Sequence, residues 1–212
     1  VNASPGRWRG KLRAAALLLL VPAVGLALHA LHLPVKAAMA QWLLMRAWEQ
    51  AQRSDVRPRP WPWADAWPVA RLSLAGVHHV VLAGTEGSAL PFAPGWMTAS
   101  AAPGTAGTSV IAAHRDTHFR GLGTLAAGDR IGVTLADGRQ RDYRVTGAQI
   151  HDARGPGLLL ADDGVPRLAL VTCYPLDGLD PGSPWRYVVW AEAPPAPAPV
   201  DRSATGRAAD PL

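Results

Sequence analysis

Hydrophobic positions along this chain fall into three patterns. From Ala14 to Leu33 they are nearly continuous: 20 residues, AAALLLLVPAVGLALHALHL, without a single Asp, Glu, Lys or Arg. At about 1.5 Å rise per residue, a helix of this length spans roughly the 30 Å hydrocarbon core of a bilayer. From Val35 to Gln52 the spacing becomes that of a short amphipathic helix, with Trp42, Leu43, Met45, Ala47 and Trp48. Such a helix lies on a membrane surface or packs on a domain. From about Ala66 to Ala193 the pattern changes to short apolar or alternating runs. These are 69–74, 77–83, 109–113, 130–135, 140–145, 168–172 and 187–192. Asp137-Gly138 between two of them is a two-residue hairpin signal, and Ala75-Gly76 turns the first pair. Several short strands at this spacing predict an all-β domain, a closed or nearly closed β-barrel or else a sandwich. The Gly- and Pro-rich stretch 91–107 reads as a long loop.

Proline usage divides the rest. Pro58, Pro60, Pro62 and Pro68 rule out continuous helix across Arg57–Pro68 and predict an extended strap, with Trp61, Trp63 and Trp67 docking on the domain. At the other end, Pro194-Pro195-Ala196-Pro197-Ala198-Pro199 opens a tail with little to bury, so residues 194–212 are expected to be disordered. The organisation expected is a basic segment (1–13), a membrane anchor (14–33), a juxtamembrane helix and strap (34–65), a β-domain (66–193) and the tail.

Charge sharpens the anchor. The chain carries 21 basic and 16 acidic residues, and Arg7, Arg9, Lys11 and Arg13 precede the apolar run with no acid among them. Setting those four aside leaves the remainder near neutral. This argues against a nucleic-acid binder, whose folded domain would carry a basic face. Four bases before an apolar span predict an N-terminus in the cytoplasm and a domain outside it, in a single-pass inner-membrane protein. The competing reading is a cleaved signal peptide, for which Ala38-Met39-Ala40 offers a small-x-small site. The apolar run is longer than the usual signal core of about 7–15 residues, which favours a retained anchor.

Candidate chemistry centres on one thiol. Cys173 is the only cysteine, so it forms no internal disulfide. It is either a small buried hydrophobe or a nucleophile. It ends the run 168–172, while His114 follows 109–113 and Arg186 precedes 187–192. In a barrel, strand ends share a rim, where residues distant in sequence can meet. A thiol needs a base or proton partner to attack near neutral pH, and a cation to stabilise the oxyanion that forms. His114 and His118 are four apart and would suit a metal if helical, but no third ligand stands at a matching spacing. Asp116 either orients a partner or caps a turn, with the turn cap favoured, and His78 and His79 point to opposite faces of a strand with no role assigned.

These segments resemble a family. Leu170-Val171-Thr172-Cys173 is similar to the Thr-Leu-x-Thr-Cys motif of sortases. His114-Arg115-Asp116-Thr117-His118-Phe119 is similar to their histidine region, and Trp185-Arg186-Tyr187-Val188-Val189 to the strand that starts at their arginine. Ala127-Gly128-Asp129-Arg130-Ile131 is similar to the Pro-Gly-Asp-x-Ile turn after the histidine loop, and the order His, Cys, Arg agrees. Ala169 and Ala113 depart from the family's Thr and Gly. His-Arg-Asp-Thr-His-Phe and the Trp-Pro-Trp-Ala-Asp strap at 61–65 resemble the subgroup of Gram-negative bacteria. The resemblance implies a sortase-like barrel and a cysteine transpeptidase, with Cys173, His114 and Arg186 as catalytic residues. It implies an exported substrate protein with a C-terminal sorting signal, often Leu-Pro-x-Thr-Gly, an amine acceptor, and neither cofactor nor metal. A different class of function remains open at this point: an anchored β-barrel binding module with an idle thiol.

Overall fold

The computed structural model describes residues 5–54, 56–85, 90–178 and 182–194, with side chains in the N-terminal helix from Ala16 onward. The expected tail after Pro194 and the basic side chains before the apolar run lie outside that description. Helix α1 runs unbroken from Pro5 to Arg53. The apolar span and the amphipathic segment are therefore one helix rather than two, although Pro22 and Pro34 lie inside it. It is long and apolar enough to cross a membrane.

Eight strands follow: β1 (Pro68–Leu74), β2 (Val77–Ala83), β3 (Gly95–Trp96), β4 (Gly107–Ala112), β5 (Arg130–Leu135), β6 (Gln140–Asp152), β7 (Pro166–Cys173) and β8 (Trp185–Glu192). They close into a barrel in the order β1-β2-β3-β4-β7-β8-β6-β5, with β2–β3 and β4–β7 parallel and the other pairs antiparallel. Both expected hairpins form. The β1–β2 turn holds Ala75 and Gly76 at φ 45° and 82°. Two positive φ values in a two-residue turn are what the right-handed twist of the paired strands demands. Glycine meets this without strain and alanine does not.

Two elements depart from the expectation. Strand β3 lies inside the stretch read as loop. It bridges β2 and β4, and a Cβ at Gly95 would collide with the Gly84 carbonyl, so the close approach that completes the barrel needs glycine there. Strand β6 continues past Val145 to Asp152, pairing with β8 across an irregularity at Val145/Gly147. The extra residue resets the alternation, which hides the second half of the strand from a period-two reading.

Alternating residues fill the barrel. Leu72, Val81, Ile111, Ile131, Val133, Tyr143, Leu168, Leu170 and Val189 form its interior, with Phe119 and Leu122 from the β4–β5 connection. A second cluster covers the outer face of β2. Ala40, Leu44 and Trp48 of α1 and Trp61, Ala64 and Ala66 of the strap pack on Val80 and Leu82. The amphipathic end of α1 thus packs on the domain. The strap docks only in part: Trp61 is 8% exposed and meets the Phe92 ring edge-on at 5.6 Å, whereas Trp63 is 79% exposed. Trp67 is half-buried, with the Arg57 guanidinium 4.9 Å from its ring centre.

Candidate active site

Strand register brings the three expected residues together. In the parallel β4–β7 pair, Ile111 faces Leu170 and Ala112 faces Val171. The ladder runs on past the end of β4. The Ala113 amide donates to the Val171 carbonyl (3.1 Å), and the Thr172 hydroxyl donates to the Ala113 carbonyl (2.8 Å). The next residues along are His114 and Cys173. On the other side of β7, Cys173 is the direct partner of Arg186 in β8.

Alternation fixes the face. Leu168 and Leu170 of β7, Val189 of β8, Ile111 of β4 and Ala113 just beyond it point into the barrel. Val110, Ala169 and Val188 belong to a separate cluster on the outer face. Counting by two places Cys173 and Arg186 on that outer face, and His114 beside them where the chain leaves β4. The three residues form a row across neighbouring strands. In an antiparallel pair, directly opposed residues on one face, as Cys173 and Arg186 are, have Cβ atoms about 4.5–5.5 Å apart. Cys173 is half-buried and His114 exposed, so a polypeptide can reach both.

The ends of β7 and β8 are tied together. The Tyr174 amide donates to the Trp185 carbonyl (3.0 Å), and the buried Ser183 hydroxyl donates to the Tyr174 carbonyl. Arg186 donates through Nη1 to the carbonyls of Ser183 (2.7 Å) and Trp185 (2.9 Å). Among the described residues no carboxylate pairs with it. One corner of its guanidinium, Nη1, is held by backbone, which leaves Nε and Nη2 for another acceptor.

Three further residues belong to this region and were missed from sequence. The first is Arg115, which is 7% exposed. Its Nη1 donates to the Pro175 carbonyl (2.7 Å), two residues past Cys173, and its Nε donates to Asp116 (3.0 Å). It fastens the loop carrying His114 to the loop leaving Cys173. The hydrogen bond from Arg115 holds the Asp116 carboxyl below its ordinary range. Asp116 thus anchors Arg115, the partner-orienting alternative of the two readings, and not the favoured turn cap. A buried arginine next to the candidate histidine was the available signal, but arginine is so seldom buried that sequence reading passes over it.

The second is His79, on β2. Its ring meets that of His118 edge-on, 5.5 Å between centres. Desolvation by burial pushes both imidazoles below the ordinary histidine value, and for His118 a hydrogen bond to the Phe92 backbone opposes that shift in part. The amides of Thr117 and Phe119 donate to the His114 carbonyl, which makes this segment a turn and not the helix a His114–His118 metal pair requires. Among the described residues, no group of three or more His, Cys, Asp or Glu side chains is placed to share a metal ion. The third is His151 of β6, the direct partner of Arg186 on the side away from Cys173. It lies in the half of β6 that the bulge conceals.

Known proteins share this architecture. Residues 71–194 match the sortase domain. Sortase D of Bacillus subtilis (strain 168) is 29% identical over 112 residues, covering 53% of this chain and 56% of that protein. The chain thus spans about half the length of the curated relative it matches. Among solved structures, sortase A from Corynebacterium diphtheriae superimposes with a TM-score of 0.55 at 24% identity, covering 65% of each chain. A Clostridium perfringens sortase D5 transpeptidase gives 0.58 at 21% identity, covering 74% of this chain and 98% of that one. At these identities the structural likeness establishes the fold, and none of the matches supports the Gram-negative subgroup read from the sequence. With the domain match extending over more than half of its length, the chain belongs to the sortase family.

Proposed function

We propose that the chain is a cysteine transpeptidase acting on exported proteins, with Cys173 as nucleophile, His114 as acid and base, and Arg186 as the oxyanion and backbone clamp. The observation that supports this reading most is the strand register: Cys173 is the direct partner of Arg186, and the β4–β7 ladder ends at Ala112 and Val171, two residues before His114 and Cys173. The Cys173 thiol gives its proton to His114, and Sγ attacks the carbonyl carbon of the scissile peptide in a C-terminal sorting signal. The Arg186 guanidinium hydrogen-bonds the carbonyl oxygen as it gains charge. The C–N bond breaks as His114 gives a proton to the leaving amine, and a thioester on Cys173 remains. An incoming amine loses its proton to His114, attacks the thioester and restores the thiol. Net, one amide bond is exchanged for another, and no redox partner is required. α1 anchors the domain to the inner membrane, with the barrel outside the cytoplasm.

A sorting-signal peptide and mass spectrometry test this directly. Wild type accumulates a thioester on Cys173 when the acceptor amine is withheld. Cys173→Ala stays folded, forms no thioester and loses labelling by methanethiosulfonate reagents. His114→Ala slows acylation sharply, because the amine leaves without a proton. Arg186→Lys keeps the charge but loses the planar fork of donors, and turnover falls on the order of 10²-fold. Processing by Cys173→Ala at the wild-type rate would remove Cys173 as the nucleophile, and a wild-type thiol that forms no thioester and resists labelling would make the chain an anchored binding module instead.

A further inference from the structure

The junction of α1 with the strap forms an open apolar cleft of about 290 Å³, lined by Lys36, Met39, Leu43, Trp61, Trp63 and Phe92. We infer that this cleft is a docking surface for phospholipid of the outer leaflet, so that the barrel sits on the bilayer instead of hanging from a tether. The inference rests on the reading of α1 as a membrane anchor.

Four observations carry it. The cleft is continuous with the apolar span, on one helix without a break: α1 passes from Leu33 into Lys36, Met39 and Leu43 and stays helical to Arg53. The far part of α1 is fixed to the domain, since Leu44, Ala47 and Trp48 are buried and the Gln41 amide donates to the Phe92 carbonyl (2.6 Å). A helix joined to the barrel in this way cannot swing it away from the membrane. The height brackets the interface. Lys36 stands three residues beyond Leu33, about 4.5 Å along a helix axis, at the level of headgroups that occupy roughly 5–8 Å on each side of the hydrocarbon core, and Met39, about 9 Å along, lies at the outer edge of that layer. Finally, the chemistry is interfacial. Lys36 is the first charged residue after the span, and the large apolar side chains around it are open to solvent: Met39 is 56% exposed and Trp63 is 79% exposed. Tryptophan and lysine at the end of a span are the usual anchors at headgroup level, the indole among upper acyl carbons and the ammonium on a phosphate. This also explains why Trp63 stays off the barrel while Trp61, two residues away, is buried.

The test uses the full chain in nanodiscs of phosphatidylcholine with phosphatidylglycerol. Cys173→Ala removes the sole thiol, and Trp63→Cys, Met39→Cys or Leu26→Cys adds one for an environment-sensitive fluorophore. Quenching by a lipid carrying a nitroxide near the headgroup is compared with quenching by aqueous iodide. Labels at 63 and 39 are expected to be quenched several-fold more by the nitroxide lipid than by iodide, and Lys36→Glu is expected to reverse that ratio at 63. A label at 63 reached by iodide and not by lipid, with the label at 26 still buried in the disc, overturns the docking and leaves the anchor standing. A label at 26 open to iodide overturns the anchor and the docking with it. Lipid quenching at 63 that persists only in discs also holding a second transmembrane helix would assign the cleft to a protein partner, and overturns the proposal too.

Discussion

The rim that carries His114, Cys173 and Arg186 and the face where α1 and the strap dock are held by different forces. At the rim, backbone does the holding. Ladder bonds at Ala113 and Tyr174, the Ser183 link and the Arg115 bond to Pro175 fix the loops, while His114 stays exposed and Cys173 half-exposed. On the helix–strap face, side chains do it: Leu44, Trp48 and Trp61 bury large apolar areas on Val80 and Leu82. Exposed side chains at the rim can therefore change with little cost in stability, whereas the helix–strap face carries much of it.

Breaking the docking face gives the largest stability effect. Trp61→Ala removes a buried ring from its contact with Phe92 and is expected to cost about 3–5 kcal/mol in chemical denaturation. Trp63→Ala, at an exposed position on the same strap, changes stability by less than about 0.5 kcal/mol in the absence of membrane. Equal losses would mean that the strap docks through its backbone alone.

Arg115→Lys probes whether the rim is held as described. Lysine keeps the charge but cannot serve Pro175 and Asp116 together. Asp116 is exposed, so its share is screened, and the expected loss is about 1–2 kcal/mol, most of it from the Pro175 bond. Acylation of Cys173 is expected to slow about tenfold while binding of a sorting-signal peptide holds, since the tilt of the His114 loop matters within an ångström. A stability loss with unchanged acylation would make Arg115 a structural brace only.

The His79–His118 pair sharpens the comparison through pH. Burial lowers both folded-state values, so the unfolded chain binds protons first as pH falls. Stability is full above the ordinary histidine value of about 6.5 and declines below it until the folded-state values are passed. The melting temperature is expected to drop between pH 7.5 and 5.5, and His118→Gln is expected to flatten that drop. Burial still lowers His79 in that variant, with His78 adding to the shift, so a residual slope is expected.

The smallest effect lies far from both regions. Ala75 at φ 45° carries the cost of a left-handed residue with a side chain. Ala75→Gly is expected to stabilise the chain by about 1 kcal/mol, less the added entropy of the unfolded state. Unchanged turnover would show that the β1–β2 turn is independent of the rim.

Much of this was open to sequence reasoning, because local physics writes it into the chain. Apolar runs bounded by turn residues located seven strands, Asp137-Gly138 and Ala75-Gly76 set two hairpins, and the charge-free run before Pro34 marked the long apolar helix. His114, Cys173 and Arg186 could be picked out as a set because each stands at a strand end in a motif of the family. Other features depend on partners remote in the chain. Gly95-Trp96 becomes a strand only because β2 and β4 leave a gap that two residues close, and residues 146–152 extend β6 only because β8 lies alongside. Arg115 becomes a fastener only where Pro175 comes within reach, and His79 gains a neighbour only when the His114 loop folds over β2. The alternation of β7 puts Cys173 on the outer face, but which residues stand beside it follows from register between strands. Hydrophobic period and turn chemistry act over a few residues and can be read along the chain. Register, closure and burial of charge are settled between segments tens of residues apart, and so by the tertiary structure alone.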